Sequence, residues 1–168
     1  VDAAETRPED ANRLNGEAVG ALARRCSNAG VCLVHYSTDY VFNGAGQPIP
    51  VNQTRSPRNA YGRSKAIGEE LLEKLGGNHL LVRTSWLYAP WGKNFVRTIA
   101  GLAHERPTLR VVNDQRVAPT STRDLAHTLV ELLGTGRFGL YHVTNAGSCT
   151  WLEFAEEVFR LAGMSPKV

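Results

Sequence analysis

Tyr61 and Lys65 are the two residues whose types and spacing most directly suggest chemistry. On a helix, this four-residue spacing places both side chains on one face, one turn apart. A phenol ionises near pKa 10, and a nearby ammonium lowers that value because it favours the phenolate. Reaching a pKa near 7 takes about 4 kcal/mol, so a bound cationic cofactor and a second hydrogen-bond donor would be expected to assist Lys65. Such a pair could exchange a proton near neutral pH.

Ser37, Thr38 and Asp39 form a second polar set, directly after the apolar run at residues 31–36. A helix, a turn and then a buried strand predict a crossover unit of a parallel sheet. Because sites in such sheets lie at the carboxyl ends of the strands, these side chains are placed where chemistry would occur. The residues alone leave a structural alternative open, in which the hydroxyls form a turn, Tyr61 begins a helix and Lys65 is solvated. A lone Y-x-x-x-K is common by chance.

Composition excludes several classes of protein. The 168 residues are 42% hydrophobic and 21% charged, which is typical of one globular domain. A net charge of +3 with mixed signs shows no basic stripe for nucleic acid, and no apolar run is long enough for a membrane span. The sequence shows no signal-peptide pattern, and three cysteines without metal spacing predict reduced thiols in a cytoplasmic protein. Five scattered histidines predict no histidine metal site.

Helices and strands are predicted to alternate along the whole chain. Capping patterns at Thr6 to Glu9, at Thr122 and at Thr150 to Glu153 mark three helix starts. The first helix is predicted to end at Asn28-Ala29-Gly30, and the Tyr61 helix at Gly76 with Gly77. The predicted helices cover about residues 7–27, 59–75, 94–106, 123–133 and 150–162. The predicted strands cover residues 31–36, 79–88 including the exit of that strand, 109–112 and 139–144. This order predicts an α/β fold with a parallel sheet.

With these segments in order, the sequence resembles the extended short-chain dehydrogenase/reductases, and among them the dTDP-4-dehydrorhamnose reductase family. The segments that carry the resemblance span essentially the whole chain. In order they are VDAAE, the helix with Asn15, STDYVFNG, AYGRSKAIGE, LLVRTSWLYAPWGKNFV, VVNDQRVAPTSTRDLA and GLYHVTNAGSCTWLEFAEEVFRLAG.

The resemblance implies a doubly wound, Rossmann-like parallel sheet with a small C-terminal α/β substrate region. Residues 1–93 would be the C-terminal part of the Rossmann-like domain and would carry the catalytic residues. Residues 94–168 would bind substrate, with a segment at about 108–134 returning to the Rossmann-like domain.

The resemblance also implies roles for single residues. Tyr61 would be the general acid, Lys65 would lower its pKa and hold the nicotinamide ribose, and Thr38 would hydrogen-bond the reacting oxygen. Residues implied in cofactor binding are Tyr61, Lys65, Ser37, Thr84, Ser85 and, through its support of Lys65, Asn15. Residues implied in substrate binding are Thr38, Asp39, Tyr40, Trp86 and Asn94.

The implied reaction is reduction of the C4 keto group of a nucleotide-linked sugar by NADPH or NADH. The segment Thr38-Asp39-Tyr40 favours a reductase over a sugar-nucleotide dehydratase, because dehydratases carry a second carboxylate after the aspartate. The resemblance leaves open a requirement for Mg²⁺ and a homodimer. Two alternatives also stay open: a non-enzymatic regulatory subunit of the same fold, and a reductase of another nucleotide-linked keto sugar.

One element of the family pattern is absent from the sequence, the glycine-rich turn that binds the cofactor pyrophosphate. Gly44-x-Gly46 follows a strand, but Pro48 and Pro50 follow it in place of a helix. We therefore expect the chain to correspond to the C-terminal part of such an enzyme, and to be weakly active or inactive by itself.

Overall fold

The structure is a computed structural model that describes residues 1–45, 48–75 and 77–168. Gly46 and Gly76, named above in a turn and at a helix end, lie outside the described residues. The chain divides into two compact units, the first formed by Val1–Thr84 with Glu131–Val143 and the second by Ser85–Val130 with Thr144–Val168. The division of function predicted at residue 93 stays a prediction.

Helices open the first unit. Helix α1 covers Asp2–Thr6, α2 covers Pro8–Asn12, a π-helical turn covers Arg13–Glu17, and α3 covers Ala18–Ala29. The capping box predicted at Thr6 is wrong, because the Thr6 hydroxyl donates to Ala3 O at 3.1 Å and α1 already occupies the residues before it. Helix α3 ends as predicted, with Gly30 in the left-handed conformation at φ 66°.

The first unit has a three-stranded parallel sheet in the order β1-β2-β6. Strand β1 covers Leu33–Thr38, β2 covers His79–Thr84 and β6 covers Gly139–His142. Between β1 and β2 the chain forms a 3₁₀ turn at Asp39–Val41 and helix α4 at Ala60–Leu75. A helix between parallel neighbours is the crossover connection that such strands require. The predicted α/β fold with a parallel sheet is confirmed.

The core of the first unit joins α3, α4 and β2. Val19, Ala23, Leu72 and Leu81 are buried together. Because these side chains come from three elements, the apolar contact holds α4 against the sheet and fixes which of its faces the sheet covers.

The second unit consists of short strands and three helices. Residues 131–135, at the end of the second of these helices, belong to the first unit. The elements of the second unit in chain order are β3 at Leu87–Tyr88, α5 at Phe95–Glu105, β4 at Arg116–Val117, β5 at Thr120–Ser121, α6 at Thr122–Thr135, β7 at Cys149–Thr150 and α7 at Trp151–Ala162. Strand β3 pairs with β5 in parallel, and β4 pairs with β7 antiparallel.

The strand predicted at residues 109–112 is wrong. Those residues are irregular: Leu109 N donates to Lys167 O at 2.8 Å, and Val112 O accepts from Leu152 N at 3.1 Å. Leu109 is buried with Ile99 and Phe159. The apolar run therefore reflects packing between helices rather than membership of a sheet.

Of the two other predicted caps, one is confirmed. Thr150 and Glu153 form a complete capping box at the start of α7. At the start of α6, Asp124 N donates instead to Ser121 Oγ at 3.5 Å, and the buried Thr122 hydroxyl has no partner among the described residues. Across the part of the chain that is described, no helix is long and apolar enough to cross a membrane.

Candidate active site

Helix α4 places the predicted catalytic residues at the carboxyl end of β1. Tyr61 and Lys65 lie on its first two turns, and Lys65 is only 8% exposed. The helix backbone packs directly on the turn after β1, because a Cβ atom on Gly62 would lie 2.1 Å from the carbonyl oxygen of Tyr40. The glycine at position 62 is therefore what allows Tyr61 to approach Thr38.

Thr38 begins the 3₁₀ turn and organises it. Its hydroxyl accepts from Tyr40 N at 3.2 Å and donates to Asp39 Oδ1 at 3.1 Å. The rings of Tyr40 and Tyr61 meet edge to face, with centroids 6.0 Å apart. The structure thus brings Thr38, Asp39, Tyr40 and Tyr61 together.

The pKa of the Tyr61 phenol is raised above its ordinary value. Burial disfavours the phenolate first, and the Asp39 carboxylate repels it further, while a hydrogen bond with the Thr38 side chain opposes both. For the chain by itself, the lowered phenol pKa expected beside Lys65 is therefore not found; that expectation required a bound cationic cofactor. A raised pKa keeps Tyr61 protonated, as a proton donor must be.

The Lys65 ammonium contacts strand β1. Its Nζ donates to Tyr36 O at 2.5 Å and lies 3.3 Å from His35 Nε2. Burial lowers the pKa of Lys65, and the negative charge of Glu69 opposes that shift. His35 is not among the site residues that the sequence predicts. Its signal was a histidine inside an apolar strand, two positions before Ser37 and therefore on the same face of the sheet.

Asn15 lies in the π-helical turn, a local irregularity that is frequent at functional sites. Its amide donates to Ser64 Oγ at 3.0 Å, and the Ser64 hydroxyl donates to Tyr61 O at 2.8 Å. This relay ties Asn15 to the backbone of Tyr61, while the support of Lys65 implied for Asn15 stays a prediction.

A buried ion network lies on the same helix, one turn beyond Lys65. Glu69 is fully buried and accepts from Arg83 Nη2 at 2.6 Å and from Arg55 Nε at 2.8 Å. Arg83 Nη1 donates to Val51 O at 3.1 Å, so the network fastens part of the loop between β1 and α4 to β2. The sequence does not predict this network either, because its members are far apart in the chain.

Ser37 and Thr84 are buried at the ends of adjacent strands, and neither hydroxyl has a partner among the described residues. In the register of β1 with β2, Ser37 is paired with Arg83 and Thr84 with Thr38. Because side chains alternate between faces, Ser37 and Thr84 lie on opposite faces of the sheet. A buried hydroxyl without a partner is costly, so a polar group of a ligand would stabilise either one.

The remaining predicted residues belong to the second unit. Ser85 Oγ donates to Ala118 O at 2.7 Å. Trp86 has a φ of 42°, the one positive value at a non-glycine among the described residues, and stacks on Trp151 with ring centroids 3.3 Å apart. Asn94 caps α5 and donates to Ala89 O at 2.8 Å, so its side chain holds the preceding loop. The ligand contacts implied for all three stay predictions.

No group of three or more histidine, cysteine, aspartate or glutamate side chains is arranged to hold a metal ion within residues 1–45, 48–75 and 77–168.

Comparisons with known proteins agree on one family. A family model described as the RmlD substrate binding domain matches residues 1–168. The dTDP-4-dehydrorhamnose reductase of Salmonella typhimurium is 45% identical over 175 residues, covering 98% of this chain. The dTDP-4-keto-6-deoxy-D-glucose reductase of Streptomyces niveus is 43% identical over 155 residues, covering 91% of this chain.

A solved structure shows the same fold. The dTDP-4-dehydrorhamnose reductase of Bacillus anthracis, crystallised in complex with NADP, covers 100% of this chain at 40% identity with a TM-score of 0.96. The chain spans 58% of the Salmonella protein, 54% of the Streptomyces protein and 60% of the Bacillus chain.

Proposed function

The chain belongs to the RmlD substrate binding domain family, and from that premise we propose that it carries the catalytic residues of an NAD(P)H-dependent reductase. The substrate we propose is dTDP-4-dehydro-L-rhamnose, reduced at its C4 keto group to dTDP-L-rhamnose. The observation that carries the proposal is that Tyr61 and Lys65, one turn apart on α4, both contact the chain on either side of Thr38: the Tyr61 ring meets the Tyr40 ring, and Lys65 Nζ donates to Tyr36 O.

Tyr61 is the proton donor in this proposal. Reduction of a ketone leaves an alkoxide, which takes a proton from the nearest acid. Burial and the Asp39 carboxylate raise the pKa of Tyr61, so the phenol holds its proton until a stronger base forms beside it. Thr38, whose side chain acts on the pKa of Tyr61, would orient the phenol, and its hydroxyl would donate to the same oxygen in place of its present contact with Asp39 Oδ1.

The cofactor in this proposal is NADPH or NADH, which supplies the hydride when bound. The residues present fit a polar ligand, because the Ser37 and Thr84 hydroxyls are buried without partners among the described residues. Lys65, Ser37 and Thr84, at the carboxyl ends of the strands of the first unit, would hold it. The Lys65 ammonium would keep its contact with Tyr36 O and offer a further N–H group to hydroxyls of the ligand.

Tyr61→Phe in the complete gene product tests the assignment. General acid catalysis contributes about 10² to 10⁴ in rate, so the variant should lose at least that factor in NADPH oxidation with the keto sugar. Tyr141→Phe is the matched control, since the Tyr141 hydroxyl donates only to Arg137 O on the surface. Activity of Tyr61→Phe close to that of the unchanged protein would overturn the proposal.

A second candidate is a reductase of another nucleotide-linked keto sugar. The similarity to the Streptomyces niveus protein, named a dTDP-4-keto-6-deoxy-D-glucose reductase, favours it. Comparing kcat/KM for the two dTDP-linked keto sugars separates the candidates. A regulatory subunit of the same fold would oxidise NADPH with neither sugar.

A further inference from the structure

His35 lies beside the ammonium of Lys65. Its Nε2 is 3.3 Å from Lys65 Nζ, and the same ammonium donates to Tyr36 O at 2.5 Å. Lys65 is 8% exposed, so water does not satisfy its three N–H groups freely. A buried ammonium is stable only where acceptors surround it, and His35 is therefore part of what allows Lys65 to be buried in the charged form.

The contact with Lys65 Nζ determines the tautomer and the protonation of the His35 imidazole. An ammonium can only donate, so His35 Nε2 must present its lone pair and the ring proton must lie on Nδ1. Burial and the charge of Lys65 lower the pKa of His35 to about 4. The ring is therefore a neutral acceptor across the physiological range of pH.

Other charged groups near Lys65 are engaged elsewhere. Glu69, one turn further along α4, raises the pKa of Lys65, but its carboxylate accepts hydrogen bonds from Arg83 and Arg55. Asp39, after β1, acts on Tyr61 and accepts from Thr38. Among the described residues, direct contact with the ammonium comes from β1, through His35 and Tyr36 O.

We propose that His35 is a positioning residue for Lys65: its neutral imidazole and the Tyr36 carbonyl hold the ammonium charged and aimed at the end of β1. The catalytic value of this arrangement rests on the function proposed above, whereas the contact itself does not. His35 does not touch the reacting atoms; it acts through Lys65.

The first test is made by NMR on the 168-residue chain. The ¹⁵N shifts of His35 should show a proton on Nδ1, and the ¹³Cε titration of Lys65 gives its pKa. His35→Leu should lower the pKa of Lys65, because the charged form loses an acceptor, whereas His35→Gln should restore it through the amide oxygen. His127→Gln on the exposed face of α6 is the matched control and should change nothing.

The reciprocal variant keeps the test valid if His35→Leu does not fold. Lys65→Met should raise the pKa of His35 toward its ordinary value, because it removes one of the two causes of the shift. A proton on His35 Nε2, or a Lys65 titration that is the same in His35→Leu and the unchanged chain, would overturn the proposal.

The second test uses the complete gene product. His35→Leu should lower kcat/KM about tenfold at the alkaline end of the profile and move that limb to lower pH, while His35→Gln keeps the original profile. If His35→Leu only damaged the structure, kcat/KM would fall by the same factor at every pH and the alkaline limb would not move. That result would overturn the proposal that His35 supports catalysis through Lys65. If the unchanged protein has no reductase activity, the proposed function fails and the NMR titrations still decide the His35 contact.

Discussion

Gly68 of α4 lies against the backbone of Asn15, so closely that a Cβ atom at position 68 would be 2.1 Å from the Asn15 carbonyl oxygen. The contact brings the π-helical turn that carries Asn15 onto the helix that carries Tyr61 and Lys65. A side chain as small as a methyl group would have to push the two helices apart, because the obstructing atom belongs to the backbone.

Gly68→Ala should therefore destabilise the fold by about 1–3 kcal/mol, the usual cost of overpacking. Gly101→Ala is the matched control, since Gly101 also lies inside a helix but has open space around it. That change should stabilise the protein by about 0.5–1 kcal/mol. Urea unfolding measures both, and equal effects of the two changes would contradict the close approach.

Glu69→Gln should lower the free energy of unfolding by about 3 kcal/mol or more, because it leaves the buried guanidinium of Arg83 without its carboxylate, whereas Arg55 keeps its pair with Glu73. Glu157→Gln is the matched control, since Glu157 pairs with Arg160 on the surface, where solvent screens an ion pair and its loss changes stability little. Thermal unfolding of the two variants checks the difference. Similar losses would show that the network does not contribute as described.

Stability should fall as pH decreases from about 6.5 toward 4, and His35 should account for part of the fall. The pKa of His35 is lower in the folded chain than in the unfolded one, so the unfolded chain binds the proton first and acid favours unfolding. His142, whose pKa burial also lowers, acts in the same direction, and Asp39, whose pKa burial raises, acts in the opposite direction.

Comparing melting temperatures of the unchanged chain and His35→Gln between pH 4 and 7 isolates this contribution. The difference between the two curves should change across that window, because glutamine does not titrate. Curves that run parallel would mean that His35 titrates alike in the folded and unfolded chains.

The stacked indoles of Trp86 and Trp151 should couple optically, since their planes are inclined by only 14°. We expect an exciton couplet in the circular dichroism of the folded chain that Trp151→Phe abolishes. Trp91→Phe is the control, because Trp91 is 68% exposed. A couplet that survives Trp151→Phe would contradict the stack.

NADPH should bind the 168-residue chain weakly, without saturation at micromolar concentrations. The sequence has no glycine-rich turn between a strand and a helix, and backbone N–H groups of such a turn are what normally hold a pyrophosphate. Fluorescence titration of NADPH measures this, with Tyr141→Phe as a control for surface changes. Tight, saturable binding would show that other residues of the chain supply the cradle.

The sequence by itself determined the structural features that depend only on residues close to one another in the chain. Four-residue spacing put Tyr61 and Lys65 on one helical face, Gly30 ended α3, and Thr150 with Glu153 capped α7. These features follow from helix periodicity and from hydrogen bonds within one turn, so a short stretch of chain contains all the information they need.

The tertiary structure alone decided which groups from distant segments meet. Lys65 could be recognised as a functional amine, but its contacts with His35 and Tyr36 depend on which strand packs against α4. The apolar run at residues 109–112 has the pattern of a strand, but its backbone bonds to Lys167 and Leu152, and next to it only an isolated parallel bridge forms, between Thr108 and Lys167. Glu69 likewise contacts Arg83 and Arg55 because α4 packs against segments that are distant in the chain. A local sequence pattern does not predict such packing.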